Sequence, residues 1–121
     1  MHDVRVRAAE PWNDLGVVIR PGETIAFEAE GTWRDWFVDT DADGYSRLVL
    51  RLFEPFRRAP ECRWFALMGA FDRDLRRRFL IGRRSTHTFA EGGRLFAFAN
   101  DLPAKYGNNS QSLTLRMTRP L

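Results

Sequence analysis

The sequence has little of what catalysis or a metal cluster needs. It holds one cysteine, Cys62, and two histidines, so no internal disulfide can form. Zinc patterns such as His-x-x-x-His or Cys-x-x-Cys are missing. No Gly-x-Ser-x-Gly elbow occurs. Cys62 and His87 are the one thinkable nucleophile and base, with no motif to position them, and a buried thiol and an ordinary strand histidine account for both. The expected output is therefore binding, not enzymatic chemistry. Long apolar runs are also missing, none approaching the ~20 residues of a membrane span. The opening Met1-His2-Asp3-Val4-Arg5-Val6-Arg7 alternates like a strand and lacks the apolar segment of a signal peptide. A cytoplasmic location is the default expectation, release by a non-standard route stays open, and the lone cysteine suits a reducing compartment.

Lysine is almost absent: eighteen of the nineteen basic residues are Arg. The net charge is only +3, but residues 1–54 carry six Arg against eleven acids and residues 55–121 carry thirteen basic residues against five acids, so the molecule is electrically polar. Arg73, Arg76, Arg77, Arg78, Arg83 and Arg84 gather around Phe79-Leu80-Ile81. Planar guanidinium groups in such a cluster can hold phosphate or carboxylate in bidentate fashion, although Asp72 and Asp74 beside it also fit a solvated strand-and-turn face. No nucleic-acid partner is expected.

What is plentiful is apolar and aromatic: 44% of the chain is hydrophobic, with ten Phe and four Trp. A chain of 121 residues can bury one core, and residues 1–121 are expected to form a single domain. Val4, Val6 and Ala8 alternate with Arg5 and Arg7; Leu15, Val17 and Ile19 alternate again; Ile25, Phe27 and Ala29 follow the turn Arg20-Pro21-Gly22-Glu23. These predict three half-buried strands, the second and third joined as a hairpin. Leu48, Leu52, Phe53 and Phe56 have helical spacing, limited by Pro55. Trp64-Phe65-Ala66-Leu67-Met68-Gly69-Ala70-Phe71 predicts a strand buried on both faces. Glu91-Gly92-Gly93 predicts a hairpin between Thr86–Ala90 and Arg94–Ala99, and Leu113, Leu115 and Met117 mark a last strand. About eight strands at intervals of roughly ten residues predict an all-β, antiparallel sandwich or jelly roll with at most one short helix.

One loop carries chemistry. Asn100-Asp101-Leu102-Pro103-Ala104-Lys105-Tyr106-Gly107-Asn108-Asn109 lies between two strands, with a carboxylate at one end and two side-chain amides at the other. Asp101, Asn108, Asn109 and the backbone offer the three kinds of oxygen that calcium takes, though too few to fill its shell of six to eight. The same residues are also compatible with a plain turn, in which Pro103 fixes a bend and Gly107, Asn108 and Asn109 take positive φ.

The string Asn-Asp-x-Pro-x-x-Tyr-Gly-Asn-Asn-Ser-x-Ser resembles the calcium and sugar loop of the bacterial galactophilic lectins, the PA-IL-like family. The likeness extends to Trp12-x-Asp14-x-Gly16-Val17 with Arg20-Pro21-Gly22-Glu23 and Gly31-x-Trp33, and to Ala66-Leu67-Met68-Gly69 before Ile81-Gly82. It implies two curved four-stranded sheets and bound Ca2+ held by Asp101, Asn108, Asn109, the Lys105 carbonyl and a carbonyl near Asp35 or Trp36. It implies a galactose-like sugar or other glycan bridged through that ion, with Asp101, Leu102, Lys105, Asn108, Asp43 and Tyr45 around it. The His-Pro-x-Gln that grips the sugar in those lectins is absent, and Asp41-Ala42-Asp43-Gly44 stands near its place.

The acids nearby are Asp35, Asp39, Asp41 and Asp43. Asp39-x-Asp41-x-Asp43-Gly44 matches the first half of an EF-hand loop, but Leu50 stands where the bidentate Glu belongs. With one carboxylate the calcium affinity is expected near 10⁻⁴–10⁻³ M, on the order of extracellular modules, and tighter if an acid of residues 35–43 joins. Trp33, Trp36 and Tyr45 offer a stacking platform for a sugar or, equally, core side chains. Two alternatives remain open: an Arg-rich module for anionic lipid or polysaccharide, and a ligand-free structural or interaction domain, with homo-oligomers compatible with each.

Overall fold

Strand residues that are apolar at every position need cover on both faces of their sheet, and Leu67–Phe71 is buried throughout. In the computed structural model, which describes residues 2–46 and 55–120, this segment sits between two such covers. Leu67 and Phe71 point into the main core with Leu95, Ala97 and Ala99, while Met68 and Ala70 point outward to Phe98, Ala59, Trp12, Cys62 and Leu75.

Eleven strands form among the described residues: β1 (His2–Arg7), β2 (Asn13–Ile19), β3 (Thr24–Glu30), β4 (Trp33–Asp35), β5 (Val38–Thr40), β6 (Leu67–Phe71), β7 (Arg78–Leu80), β8 (Arg84–Thr88), β9 (Gly93–Ala99), β10 (Asn109–Ser110) and β11 (Ser112–Thr118). They make two four-stranded antiparallel sheets, ordered β1-β11-β3-β8 and β2-β9-β6-β7, and a small sheet ordered β10-β4-β5. Among the described residues the helical segments are 3-10 turns, including Leu75–Arg77 and Pro103–Asn108. The two large sheets face each other across Val6, Leu15, Ile25, Phe27, Trp33, Phe65, Leu67, Leu95, Leu113 and Leu115, all nearly or fully buried. Each fully buried side chain of this size contributes roughly 1.5–3 kcal/mol. The all-β sandwich expected from the spacing is the observed class, and the third sheet is an addition to it.

The hairpins are a correction. β2 and β3 belong to opposite sheets, and so do β8 and β9. Turn residues fix how the chain reverses, not which sheet receives the next strand. Gly92 illustrates the difference, since a Cβ there would lie 2.3 Å from the Ile19 carbonyl oxygen. The glycine permits a tight crossing between sheets rather than a two-strand ribbon. Gly22 does take the positive φ expected of it, +87°. Gly107, Asn108 and Asn109 do not, because the loop is bent by the 3-10 turn 103–108 and Asn109 follows it in extended conformation at φ −89°. Of the expected helical segment, Leu48, Leu52 and Phe53 lie outside the described residues, and Phe56 is exposed.

Candidate functional site

The small third sheet fastens the loop to the residues it works with. In an antiparallel ladder directly opposed residues share a face, with Cβ atoms roughly 4.5–5.5 Å apart. Asn109 opposes Asp35 in the β10–β4 ladder, so this amide and this carboxylate are neighbours. The Trp36 N–H donates to the Asn108 carbonyl at 3.0 Å and extends the pairing. Asp101 arrives from the other side, at the end of β9. Its position is fixed by Asn100, whose amide is fully buried: Oδ1 accepts from the Ala59 N–H at 2.9 Å and Nδ2 donates to the Ala59 and Arg63 carbonyls at 2.8 and 2.9 Å. The Arg58 N–H donates to the Asp101 carbonyl at 3.1 Å, and the Tyr106 hydroxyl donates to the Ala99 carbonyl.

Asp101 is only 3% exposed. Its Oδ1 accepts from the Leu102 N–H at 2.7 Å, while Oδ2 is buried without a partner. Asn109 has the same imbalance. Its Nδ2 donates to the Ala8 carbonyl at 3.1 Å, which fixes the amide orientation, and its Oδ1 is left buried and unpartnered. Two buried acceptors without donors are costly, and either a proton or a cation would satisfy them. Burial, and next the charge of Asp35, push the Asp101 carboxyl up to about 6; the Leu102 N–H, the Asn109 side chain and Lys105 oppose the shift. Asp35 in turn accepts a short bond from the Tyr45 hydroxyl, 2.5 Å.

Among the described residues no three His, Cys, Asp or Glu side chains cluster as they would around a metal. Two carboxylates, an amide oxygen and backbone carbonyls are what the site offers. This all-oxygen set fits a hard cation and not a soft one.

The other residues singled out in the sequence divide between the rim of this centre and places away from it. Leu102 begins the 3-10 turn and is half-buried, and Lys105 and Asn108 are exposed on it. The acids of residues 39–43 do not converge. Asp39 pairs with Arg34 at 2.6 Å, Asp41 caps the Asp43 N–H at 2.9 Å, and Asp43 accepts from the Arg83 N–H at 2.8 Å. Asp43, expected near the sugar, thus anchors the turn before β8. Trp33 is core, edge-on to Phe65 at 5.5 Å, which removes it from any platform. Trp36 and Phe37, at 67% and 66% exposure, stand beside the site with ring centroids 4.4 Å apart. Phe37 carried no signal of its own; an aromatic pair at the tip of a short hairpin becomes visible only once β4 and β5 are placed.

The Arg cluster is largely paired with acids: Arg76 with Asp74, Arg77 with Asp72, Arg78 with Glu61, and Arg84 with Glu28. Asp72 and Asp74 beside the run were legible as partners in the sequence, whereas Glu61 and Glu28, distant along the chain, were not. Cys62 and His87 occupy different layers. The thiol, raised by burial and then by Glu61, packs in the outer cluster against β6, whereas the His87 ring stacks on Phe89 and meets the Leu80 carbonyl at 2.8 Å.

No protein-family model matches the sequence, and no curated protein matches it. A solved structure does match: the N-terminal domain of EclA, described as a PllA-like lectin, superposes with a TM-score of 0.77 over 99% of this chain and 97% of that one, at 20% identity. The β-sandwich of this chain is therefore the fold of that lectin domain.

Proposed function

We propose that the protein is a calcium-dependent carbohydrate-binding domain. The observation that supports this best is the pair of buried, unpartnered oxygens, Asp101 Oδ2 and Asn109 Oδ1, with Asp35 opposite Asn109 in the β10–β4 ladder and its charge acting on Asp101. Asp101 and Asn109 supply side-chain oxygens, Lys105 and the 35–36 segment supply carbonyls, and Asn108 supplies an oxygen at the exposed rim. Asp35, held by Tyr45, provides a second negative charge, which places the expected dissociation constant below about 10⁻⁴ M. Bound there, calcium presents open coordination positions that two vicinal hydroxyls of a sugar can fill.

Trp36 and Phe37 give the sugar an apolar surface to pack on beside that point. Replacing Trp36 by Ala is expected to weaken glycan binding about fivefold, on the order of one aromatic contact, and to leave the melting temperature unchanged because the ring is solvent-exposed. Titration of a bound glycan into both proteins checks this, and equal affinities would remove the platform.

The test of the whole reading is a glycan array run once with calcium and once with chelator. Signals present with calcium and lost with chelator are expected, and they should survive 0.5 M salt, since a coordinated ion is not screened as a surface charge is. Signals that ignore the chelator, or their complete absence, would overturn it.

A further inference from the structure

On the far side of the Pro103–Asn108 turn lies a cleft of about 700 Å³ lined by Pro11, Trp12, Arg58, Arg73, Arg76 and Tyr106, with Asp74 at its edge. Its size falls within the roughly 300–1,000 Å³ usual for small-ligand sites. We propose that this cleft is a second subsite, which takes the carboxylate of an acidic sugar residue.

The charge in the cleft is built in rather than scattered. The Arg58 guanidinium lies 3.9 Å from the Phe98 ring centroid and 4.4 Å from that of Trp12. Its Nη1 donates to the Pro11 carbonyl at 2.6 Å and to the Tyr106 hydroxyl at 2.8 Å. Those two bonds occupy Nη1 and leave the Nε and Nη2 hydrogens for a ligand, in the fork that matches a carboxylate. Arg73 faces the same space from over Phe96, at 4.8 Å. It is held there by an unusual turn, because Asp72 and Arg73 both have positive φ, 55° and 58°. Neither is glycine, so the turn carries strain that Asp72 offsets by accepting from the Arg94 N–H at 3.0 Å and from Arg77 at 2.8 Å. The Asp74 N–H donates to the Phe71 carbonyl at 2.9 Å and closes this turn, which carries Arg73 to the cleft.

Asp74 is already paired with Arg76, which is 90% exposed, and solvent screens that bond enough for a ligand to compete. The remaining walls, Pro11, Trp12, Pro103 and Tyr106, are apolar or aromatic and suit the C–H face of a pyranose. The choice of a saccharide as carrier of the carboxylate rests on the carbohydrate-binding reading, but the cleft itself needs no calcium.

The experiment is a calorimetric titration, in chelator, of the full chain with a trigalacturonate and with its neutral methyl ester, repeated for Arg73→Gln, Arg76→Gln and, as a control away from the cleft, Arg116→Gln. The acid should bind and the ester should not. Arg73→Gln should weaken the acid at least tenfold, Arg76→Gln by less, and Arg116→Gln not at all. Affinity should fall as salt rises from 0.05 to 0.5 M. Equal binding of acid and ester, no binding of the acid, or an unchanged Arg73→Gln would overturn the subsite. Equal competition by inorganic phosphate, or preferential binding to phosphatidylserine vesicles, would overturn its assignment to a sugar. Because calcium is absent throughout, failure here leaves the calcium-dependent array result standing, and failure of the array leaves this one interpretable.

Discussion

Asp101→Asn is expected to make the calcium-free protein more stable at pH 7.5 while abolishing its response to calcium. The wild-type carboxyl has a pKa of about 6 in the folded state against an ordinary 3.8. Between those values the folded state binds more protons than the unfolded chain, so stability falls as pH rises through this window and stays reduced above it. The difference corresponds to roughly 3 kcal/mol at most, each pH unit being about 1.4 kcal/mol. Asparagine keeps the acceptor for the Leu102 N–H, removes the charge facing Asp35, and replaces the unpartnered Oδ2 with a donor. A gain of about 1–3 kcal/mol, or roughly 4–12 °C in melting temperature for a domain of this size, should appear at pH 7.5 and vanish near pH 4. Asp3, Asp14 and Glu23, whose Arg partners and backbone bonds lower their pKa, act in the opposite sense in both proteins and cancel in the comparison. Differential scanning fluorimetry across pH, with and without calcium, reads the effect. A variant less stable than wild type at pH 7.5, or one still stabilised by calcium, would contradict it.

Asn100→Ala should be the most damaging single change near the site. The Asn100 amide ties residues 59–63 to the end of β9 and has no exposure to solvent. Alanine cannot replace any of these bonds. The Ala59 N–H, whose residue is fully buried, would lose its acceptor, and at least two carbonyls would lose a donor. Leaving a buried polar group unsatisfied costs about 1–3 kcal/mol, so a loss of roughly 3–4 kcal/mol is expected for the set. Urea unfolding measures it directly. The same variant should weaken calcium binding, because Asp101 follows Asn100 directly and depends on it for position. A loss below about 1 kcal/mol would mean that the loop is held by its other contacts, chiefly Tyr106 to Ala99 and Arg58 to Asp101.

The period-two patterns of β1, β3 and β11 were plain in the sequence because one face of each strand is buried and the other is wet. The unbroken apolar run of β6 was equally legible as a strand covered on both faces. Sheet membership was not, since Gly92-Gly93 serves a crossing as readily as a hairpin. At the site, Asp101 and Asn109 were recognisable by residue type within one short segment, whereas Asp35 entered only through the family resemblance, as a place for a backbone carbonyl. What fixes them was hidden. The ladder Asn109–Asp35 spans residues that only the third sheet brings together, and Arg58 reaches Tyr106 and Pro11 across 48 and 47 positions of chain. Asp39, Asp41 and Asp43 looked like a ligand run because spacing along a chain says nothing of which Arg or N–H each carboxylate will meet.

Calcium titration by calorimetry at pH 7.5, on wild type and on Asp101→Ala, bears most directly on the proposed site at Asp101, Asn109 and Asp35. One calcium per chain with a dissociation constant below about 10⁻⁴ M for wild type, and no heat for the variant, is the expected result. No heat for wild type, or the same heat for both proteins, would contradict it.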